Sequence, residues 1–215
     1  MDFKKIYFEN ISFYESCFDK FGDNHKSYDW PRAKDLDTRH RVMLEVISTE
    51  DKQKKITLLD FGCGGSSFYE YILRNKLDTV IKYSGLDILE KFINLSKNKF
   101  PSNDYYCLDI LDDQNFLPDF DYIVINGVFT SKRCLSFGDM NEYFQAIILN
   151  VFQKAHKGIA FNVMSKHVDW ERDDLFHLPF DVLATFLTKY VSRNFVIRHD
   201  YGLYEYTVYV YKSPK

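Results

Sequence analysis

A glycine-rich turn follows a short apolar run in the first half of the chain. The run from residue 56 to residue 61 leads into Asp60-Phe61-Gly62-Cys63-Gly64-Gly65-Ser66. Glycines at this position let a ligand approach the backbone closely, and they also fit a simple tight turn between a strand and a helix. The acid before them would repel a phosphate and attract an ammonium group. The turn therefore favours a ligand that carries an ammonium group.

Two further acids end the next two strand-like runs. Asp87 closes the second run, and Asp109 follows the third. Because the carboxyl ends of parallel strands line one crevice, we expect both carboxylates to point into the same pocket. Each acid alone also fits an exposed loop carboxylate. Together they could accept the hydroxyls of a ribose and the amine of an adenine, and Asn126 after the fourth run could contact an amino-acid part.

Two common nucleotide-binding patterns do not fit the residues around the turn. A dinucleotide fingerprint, G-x-G-x-x-G read from Gly62, needs a glycine where Ser67 stands. A P-loop needs Gly-Lys-Ser/Thr, which occurs nowhere in the chain. S-adenosylmethionine carries ribose, adenine and an ammonium group and has no phosphate, so the pattern favours this cofactor. A nicotinamide dehydrogenase is an alternative, with Ser67 against it.

The elements that must position these residues alternate between strand and helix. Apolar residues at three- to four-residue spacing predict two amphipathic helices, over 3–18 and 36–47. Further on, the predicted strands cover 56–61, 81–87, 104–108, 122–126 and 158–164, with helices over 66–73, 89–98 and 140–155. Runs at 194–199 and 204–211 are joined too closely for a crossover helix and predict an antiparallel hairpin. The fold class is therefore α/β, a doubly wound Rossmann-like sheet, mostly parallel, with a C-terminal antiparallel hairpin.

Length, composition and charge fit a single globular domain. The 215 residues have a formal net charge of −3, which argues against a dedicated nucleic-acid binder. The apolar runs are too short to span a bilayer, and the N-terminus lacks the features of a signal peptide. The four cysteines form no CxxC pair, so neither a metal site nor a disulfide framework is predicted. We expect one cytoplasmic domain over 1–215 without membrane or nucleic-acid partners, and the oligomeric state stays open.

Four successive segments resemble motifs of the class I S-adenosylmethionine-dependent methyltransferases. They are Leu58-Leu59-Asp60-Phe61-Gly62-Cys63-Gly64-Gly65, Gly85-Leu86-Asp87-Ile88, Cys107-Leu108-Asp109-Ile110 and Asp121-Tyr122-Ile123-Val124-Ile125-Asn126-Gly127-Val128. The likeness implies the seven-stranded methyltransferase fold, with a cofactor-binding core over 56–212. One departure is Ser66, which stands at the third glycine of the first motif.

The resemblance also implies roles for single residues. The residues implied are Asp60 and the backbone from Gly62 through Cys63 to Gly64 for the methionine part, Asp87 with Ile88 for the ribose, Asp109 and Ile110 for the adenine, and Asn126, Gly127 and Val128 for the methionyl side. Together they would hold S-adenosylmethionine as the cofactor.

Residues 1–50 resemble the N-terminal helical lid of a small bacterial subgroup of these enzymes. In that lid a Trp-containing loop precedes a helix that carries an arginine, and Trp30 and Arg39 occupy these places. Arg39 could pair bidentately with the carboxylate of the cofactor. It could equally be a surface arginine that pairs with Asp35 or Asp37.

Methyl transfer does not need a catalytic triad, and the chain shows none. A base is needed only when the acceptor must lose a proton. The insertion after the fifth strand, 165–177, holds histidines and acids, and His167 is the candidate base because imidazole titrates near neutral pH. A solvated loop histidine would look the same. Tyr143, Tyr201 and Tyr204 are candidates for the pocket wall.

The acceptor is expected to be a small molecule. Amino-methyltransferases that act on adenine or glutamine carry two prolines after the Asn that corresponds to Asn126, and this chain has neither. The C-terminal hairpin, 200–210, resembles the same bacterial subgroup, which we associate with sugars and other metabolites. The predicted reaction is methyl transfer to a hydroxyl or amine of a sugar, nucleotide-sugar or other metabolite. Transfer to nucleic acid or protein, and a non-catalytic cofactor-binding or scaffold role, are the alternatives.

Overall fold

A computed structural model describes residues 3–30, 32–113 and 116–214 of the chain. The strands are β1 (Ile56–Phe61), β2 (Ile81–Asp87), β3 (Asp104–Cys107), β4 (Phe120–Phe129), β5 (Ala155–Ser165), β6 (His177–Leu178), β7 (Phe195–Arg198) and β8 (Glu205–Tyr211). Within these described ranges they form one eight-stranded sheet. Its order is β3-β2-β1-β4-β5-β8-β7, with the short β6 pairing with β5 beside this path.

Helices precede the sheet and cover both of its faces. They are α1 (Phe3–Phe21), α2 (Lys34–Leu44), α3 (Ser67–Arg74), α4 (Glu90–Lys99), α5 (Ile110–Asp113), α6 (Phe137–Gln153) and α7 (Phe180–Phe186), with a 3-10 turn at His25–Tyr28 and a π-helical turn at Leu187–Val191. Among the helices of the described ranges, none combines the length and apolar character that a bilayer crossing requires.

The predicted fold class is confirmed by the strand directions. Strands β1 to β5 pair with their neighbours in parallel. Strand β8 runs antiparallel to both β5 and β7, so the two C-terminal strands form the predicted antiparallel pair. The parallel strands therefore all point their carboxyl ends toward one edge of the sheet, where a ligand crevice is expected.

Strand β8 is an inner strand with a separate core on each of its faces. Tyr209 and Tyr211 pack with α2 and α3, whereas Val208 and Val210 pack with α6 and α7. This division follows from the strand geometry, because successive side chains point to opposite faces. All seven residues of β8 are buried. The C-terminal segment therefore contributes to both cores of the domain.

The predicted element bounds agree best for two inner strands of the sheet. Strands β1 and β2 have the predicted bounds. Helix α2 ends at Leu44, before the predicted end at residue 47, because the buried Val46 and Ile47 lie in a series of turns. Strand β6 and helix α7 were not predicted. The two-residue β6 has no strand pattern of its own, and it forms only through pairing with β5.

Candidate functional site

A cleft opens at the carboxyl ends of the parallel strands, beneath the N-terminal segment. It holds about 950 Å³ of space when the part open to solvent is included. The predicted cofactor residues that line it are Trp30, Gly62, Gly64, Asp87, Ile88, Asp109, Ile110, Asn126, Gly127 and Val128. Arg39, Asp60, Cys63 and the candidate base His167 lie outside this lining. The structure thus brings residues from the ends of β1, β2, β3 and β4 to one place.

Aromatic side chains complete the cleft wall. Tyr14 from α1 and Tyr28 from the 3-10 turn line it, together with Phe92 from α4 and Tyr143 from α6. Of these, the sequence indicated only Tyr143 as a wall residue. The apolar periodicity of the first helix predicted that it has a buried face, but it did not show what that face covers. Tyr28 stands in a polar segment and carried no signal.

The glycine turn adopts backbone conformations that favour glycine. Gly62 has a φ of +78° and Gly64 a φ of +51°. Ser66, which stands at the position of the third motif glycine, also has a left-handed conformation, with a φ of 61°. The amides of Gly62 and Cys63 donate to the carbonyl oxygen of Leu86, at 2.7 and 2.9 Å. These two N–H groups therefore join the turn to β2 and are already hydrogen-bonded within the protein.

Asp87 joins the glycine turn to the next helix. Its Oδ2 accepts a hydrogen bond from the amide of Gly64 at 2.9 Å, and its Oδ1 accepts one from the amide of Leu89 at 2.9 Å. The side chain is buried, and burial raises the pKa of its carboxyl group to about 6. Two backbone donors thus hold this carboxylate in the cleft in one orientation.

Asp109 is fixed in a similar way at the next strand end. Its Oδ1 accepts a hydrogen bond from the amide of Leu111 at 2.8 Å, at the start of α5. The adjacent Ile110 is buried and also lines the cleft. A carboxylate and an apolar side chain therefore lie together where the resemblance implies an adenine.

Asp60 lies beneath the glycine turn rather than in the cleft wall. The hydroxyl of Tyr83 donates a hydrogen bond to its Oδ2 at 2.9 Å. Burial, with a smaller contribution from the nearby charge of Asp87, raises the pKa of the Asp60 carboxyl group to about 7, although the hydrogen bond from Tyr83 acts to lower it. Cys63 is also buried outside the lining. In this conformation, neither side chain offers a direct contact to a ligand in the cleft.

Arg39 is buried and pairs with Glu205, so the alternative of a surface arginine paired with Asp35 or Asp37 is wrong. The Nε of Arg39 donates to both Glu205 carboxylate oxygens at 2.9 Å, and Nη2 donates to Oε2 at 2.7 Å. Asp37 instead pairs with Arg74 at 2.6 Å. The Arg39 pairing could not be predicted from local spacing, because 166 positions separate the two partners.

The N-terminal segment packs directly onto the two glycine turns of the cleft. The hydroxyl of Tyr28 accepts a hydrogen bond from the amide of Gly65 at 2.9 Å. At Gly127, where φ is +88°, an added Cβ would lie 2.5 Å from Cζ2 of Trp30. Glycine at this position therefore allows the close approach of the indole ring. Side chains of the segment also form ion pairs with the core, namely Asp19–Lys91, Asp23–Lys99, Asp29–Arg133 and Asp37–Arg74.

His167 is exposed on the insertion after β5. Its ring stacks on Phe180 with 4.8 Å between the ring centroids, and its amide donates to the Oγ of Ser165 at 3.0 Å. A role as a base stays a prediction, and the residue would have to move to reach the cleft. Tyr201 and Tyr204 also lie outside the cleft lining. Within the described ranges, His, Cys, Asp and Glu side chains form no group of three or more that could hold a metal ion.

Comparisons with known proteins place this architecture among methyltransferases. No family model matches the chain. A Mycobacterium tuberculosis protein named as a methyltransferase, Rv1506c, is 24% identical over 175 residues, which cover 79% of this chain and 99% of that protein. The plantazolicin methyltransferase BpumL, solved with S-adenosylhomocysteine, has a TM-score of 0.60 at 16% identity over 98% of each chain.

A second solved structure shows the same likeness. The magnesium protoporphyrin IX methyltransferase of Synechocystis PCC 6803, with bound S-adenosylhomocysteine, has a TM-score of 0.59 at 13% identity over 91% of this chain and 92% of that one. The chain therefore has the Rossmann-like fold of the class I S-adenosylmethionine-dependent methyltransferases. The resemblance indicated by the four sequence motifs is confirmed at the level of the fold.

Proposed function

We propose that the chain is an S-adenosylmethionine-dependent methyltransferase that binds its cofactor in the cleft. The observation that carries the proposal is the convergence of Asp87, Asp109 and the Gly62–Gly64 turn at the carboxyl edge of this sheet. Similarity to a named methyltransferase and to methyltransferase structures supports it.

The residues of the cleft fit the chemical groups of S-adenosylmethionine. Asp87 offers carboxylate oxygens for the ribose hydroxyls, and Asp109 offers an acceptor for the adenine amine beside the apolar wall of Ile110. Arg39 is buried, and its Nη1 has no hydrogen-bond partner within the described residues. This arginine does not line the cleft itself, but its guanidinium group packs on Trp30, which does.

Bound S-adenosylmethionine would supply a methyl group activated by its sulfonium sulfur. The protein's own contribution is to place the acceptor and to exclude water. Tyr14, Tyr28, Trp30 and Tyr143 surround the cleft with aromatic surface that could hold an acceptor against one wall. Correct placement of two reactants accounts for a large part of the rate in such displacements. None of these steps requires a base on the protein when the acceptor atom is already nucleophilic.

We propose a small-molecule acceptor with a hydroxyl or amine, namely a sugar, a nucleotide-sugar or another metabolite. Within the described lining of the cleft, the charged side chains are Asp87 and Asp109, and both are acidic. Both are assigned to the cofactor, so the part of the lining left for the acceptor is mainly aromatic and apolar. A neutral sugar or another neutral metabolite is compatible with the aromatic wall. The scattered cysteines, which form no CxxC pair, support the proposed cytoplasmic location.

Calorimetric titration with S-adenosylhomocysteine tests the proposed function. We expect a dissociation constant in the micromolar range, about −7 to −8 kcal/mol, for the wild-type protein. Replacing Asp87→Ala should weaken binding by about tenfold or more, because a charged acceptor for the ribose is lost. Asp87→Asn serves as a second variant, because it preserves the shape of the side chain where Asp87→Ala fails to fold.

Asp78→Ala is the matched control for this experiment. Asp78 is an exposed carboxylate just before the other end of β2, so its removal should leave binding unchanged. Absence of binding to a folded wild-type protein would overturn the proposed function. Equal weakening in the Asp87 and Asp78 variants would show that the ligand binds elsewhere.

A further inference from the structure

A buried ion pair connects the N-terminal segment to the start of the last strand. Arg39 on α2 is 8% exposed, and Glu205 at the first position of β8 is 2% exposed. Three contacts of 2.7 to 2.9 Å join the guanidinium group to the two carboxylate oxygens. Such a bidentate arrangement restricts both the position and the plane of the guanidinium group.

Asn162 extends this pair to the cleft wall. Its Nδ2 donates to Oε1 of Glu205 at 2.8 Å, and its Oδ1 accepts from the amide of Gly127 at 2.7 Å. The side chain is fully buried in the middle of β5. One amide group therefore holds both Glu205 and the turn at Gly127, which lines the cleft.

Trp30 closes the network on the side of the N-terminal segment. The guanidinium carbon of Arg39 lies 3.8 Å from the centroid of the indole ring. The indole ring also lies against Gly127, where it fills the space that a Cβ would occupy. These contacts thus form one closed network that joins α2, β4, β5 and β8. Its members are Trp30, Arg39, Glu205, Asn162 and Gly127.

One donor group of Arg39, Nη1, makes no hydrogen bond within this network. Nε and Nη2 bind Glu205, whereas Nη1 is buried and has no hydrogen-bond partner within the described residues. Leaving a charged donor unpaired in a buried position is unfavourable. The network therefore depends on Glu205 to hold Arg39 in a buried position, next to a tryptophan that lines the cleft.

We propose that Glu205 and Asn162 are positioning residues for the amino-acid end of the cofactor. Glu205 holds Arg39 against Trp30, and Asn162 fixes the turn at Gly127, so that these two cleft-lining groups stay where the amino-acid end of the cofactor would lie. This inference rests on the proposed function. Neither residue needs to touch the cofactor, since each acts through Arg39 or through the backbone of the turn.

Measuring the affinity for two ligands that differ only in the amino-acid part distinguishes this positioning role from a general role in stability. S-adenosylhomocysteine contains the carboxylate, and 5′-methylthioadenosine contains the adenosine and sulfur without it. In Glu205→Gln, only one acceptor oxygen faces the two donors of Arg39. We expect this variant to bind S-adenosylhomocysteine about tenfold more weakly, with less than about a twofold change for 5′-methylthioadenosine.

Asp51→Asn is the matched control. Asp51 is also a buried carboxylate, bound by the Tyr122 hydroxyl at 2.8 Å and by Lys157 at 3.0 Å, but it lies near the opposite ends of the strands. Its loss should leave the ratio of the two affinities unchanged even where it lowers the melting temperature. Glu205→Asp keeps the buried charge but shortens its reach, and it replaces Glu205→Gln where that variant does not fold.

The outcomes distinguish this inference from the proposed function. Absence of binding of both ligands to the wild type would reject the proposed function itself. Binding to the wild type with equal weakening of both ligands in the Glu205 variants would reject only the positioning role. Tighter binding of S-adenosylhomocysteine to Glu205→Gln would show that Glu205 competes with the ligand for Arg39, and this result would also overturn the inference.

Discussion

At the scale of single residues, burial sets the carboxyl group of Asp60 apart from ordinary surface acids. The side chain is 3% exposed, and burial raises its pKa from 3.8 to about 7. Between about pH 4 and pH 7 the unfolded chain has lost the proton while the folded protein keeps it. The free energy of unfolding contributed by this group therefore falls as the pH rises through this window.

Replacing Asp60→Asn should remove this pH dependence. Asparagine resembles the protonated carboxyl group, and its oxygen can still accept the hydrogen bond from Tyr83. The variant should have a larger free energy of unfolding than the wild type at high pH. The difference between the two proteins should shift in favour of the variant by about 2 kcal/mol from pH 5 to pH 8. Urea unfolding of the ligand-free proteins at both pH values measures the difference. Equal differences at the two pH values would show that Asp60 titrates near its ordinary pKa.

At the scale of elements, Arg133 joins the N-terminal segment to the loop after β4. Its Nη2 donates to Asp29 at 2.9 Å, and its guanidinium carbon lies 3.4 Å from the centroid of the Phe13 ring. Its φ of 52° is unusual for a residue with a side chain. One cation thus contacts both α1 and the residue that follows the 3-10 turn, and it adds to the other ion pairs that hold the segment over the cleft.

Replacing Arg133→Met should loosen the N-terminal segment without unfolding the domain. Methionine keeps an apolar contact with Phe13 but cannot pair with Asp29. We expect trypsin to cleave after Lys20 and Lys26 about three- to tenfold faster, because local opening becomes more favourable by about 1 kcal/mol. Arg193→Met, at an exposed arginine outside the segment, is the control and should cleave like the wild type. Unchanged cleavage in Arg133→Met would contradict the role of this residue.

At the scale of the whole molecule, the C-terminal pair of strands completes the sheet asymmetrically. Strand β8 lies between β5 and β7 and faces both cores, whereas β7 is an edge strand of the described sheet. Val208 in β8 is fully buried, and Val196 in β7 is 44% exposed. The same residue type thus occupies an inner and an outer position of one hairpin.

Truncating these two valines should have very different effects. Val208→Ala removes two buried methyl groups from the core and should lower the free energy of unfolding by about 2 to 3 kcal/mol. Val196→Ala should lower it by less than about 0.5 kcal/mol, because the side chain is already half in water. Urea unfolding of both variants measures the two values. Similar losses would mean that β8 is not the inner strand.

Features that depend on neighbouring residues were determined by the sequence itself. Apolar runs placed β1 and β2 correctly, and the short connection between the last two strands required an antiparallel pair. The glycine turn and the acids at the strand ends identified the cleft, because parallel strands bring their carboxyl ends together whatever the rest of the chain does. Each of these signals can be recognised in a few consecutive residues, and the order of the parallel strands brings the signals together.

Contacts between distant segments were decided by the tertiary structure alone. Arg39 meets Glu205 across 166 positions, and Tyr28 reaches Gly65 across 37 positions. No local period or spacing encodes such a pair, because both partners must first be placed by packing on the same sheet. The same packing placed Asp60 below the turn and His167 on the surface, although the residue types alone suit both for the site.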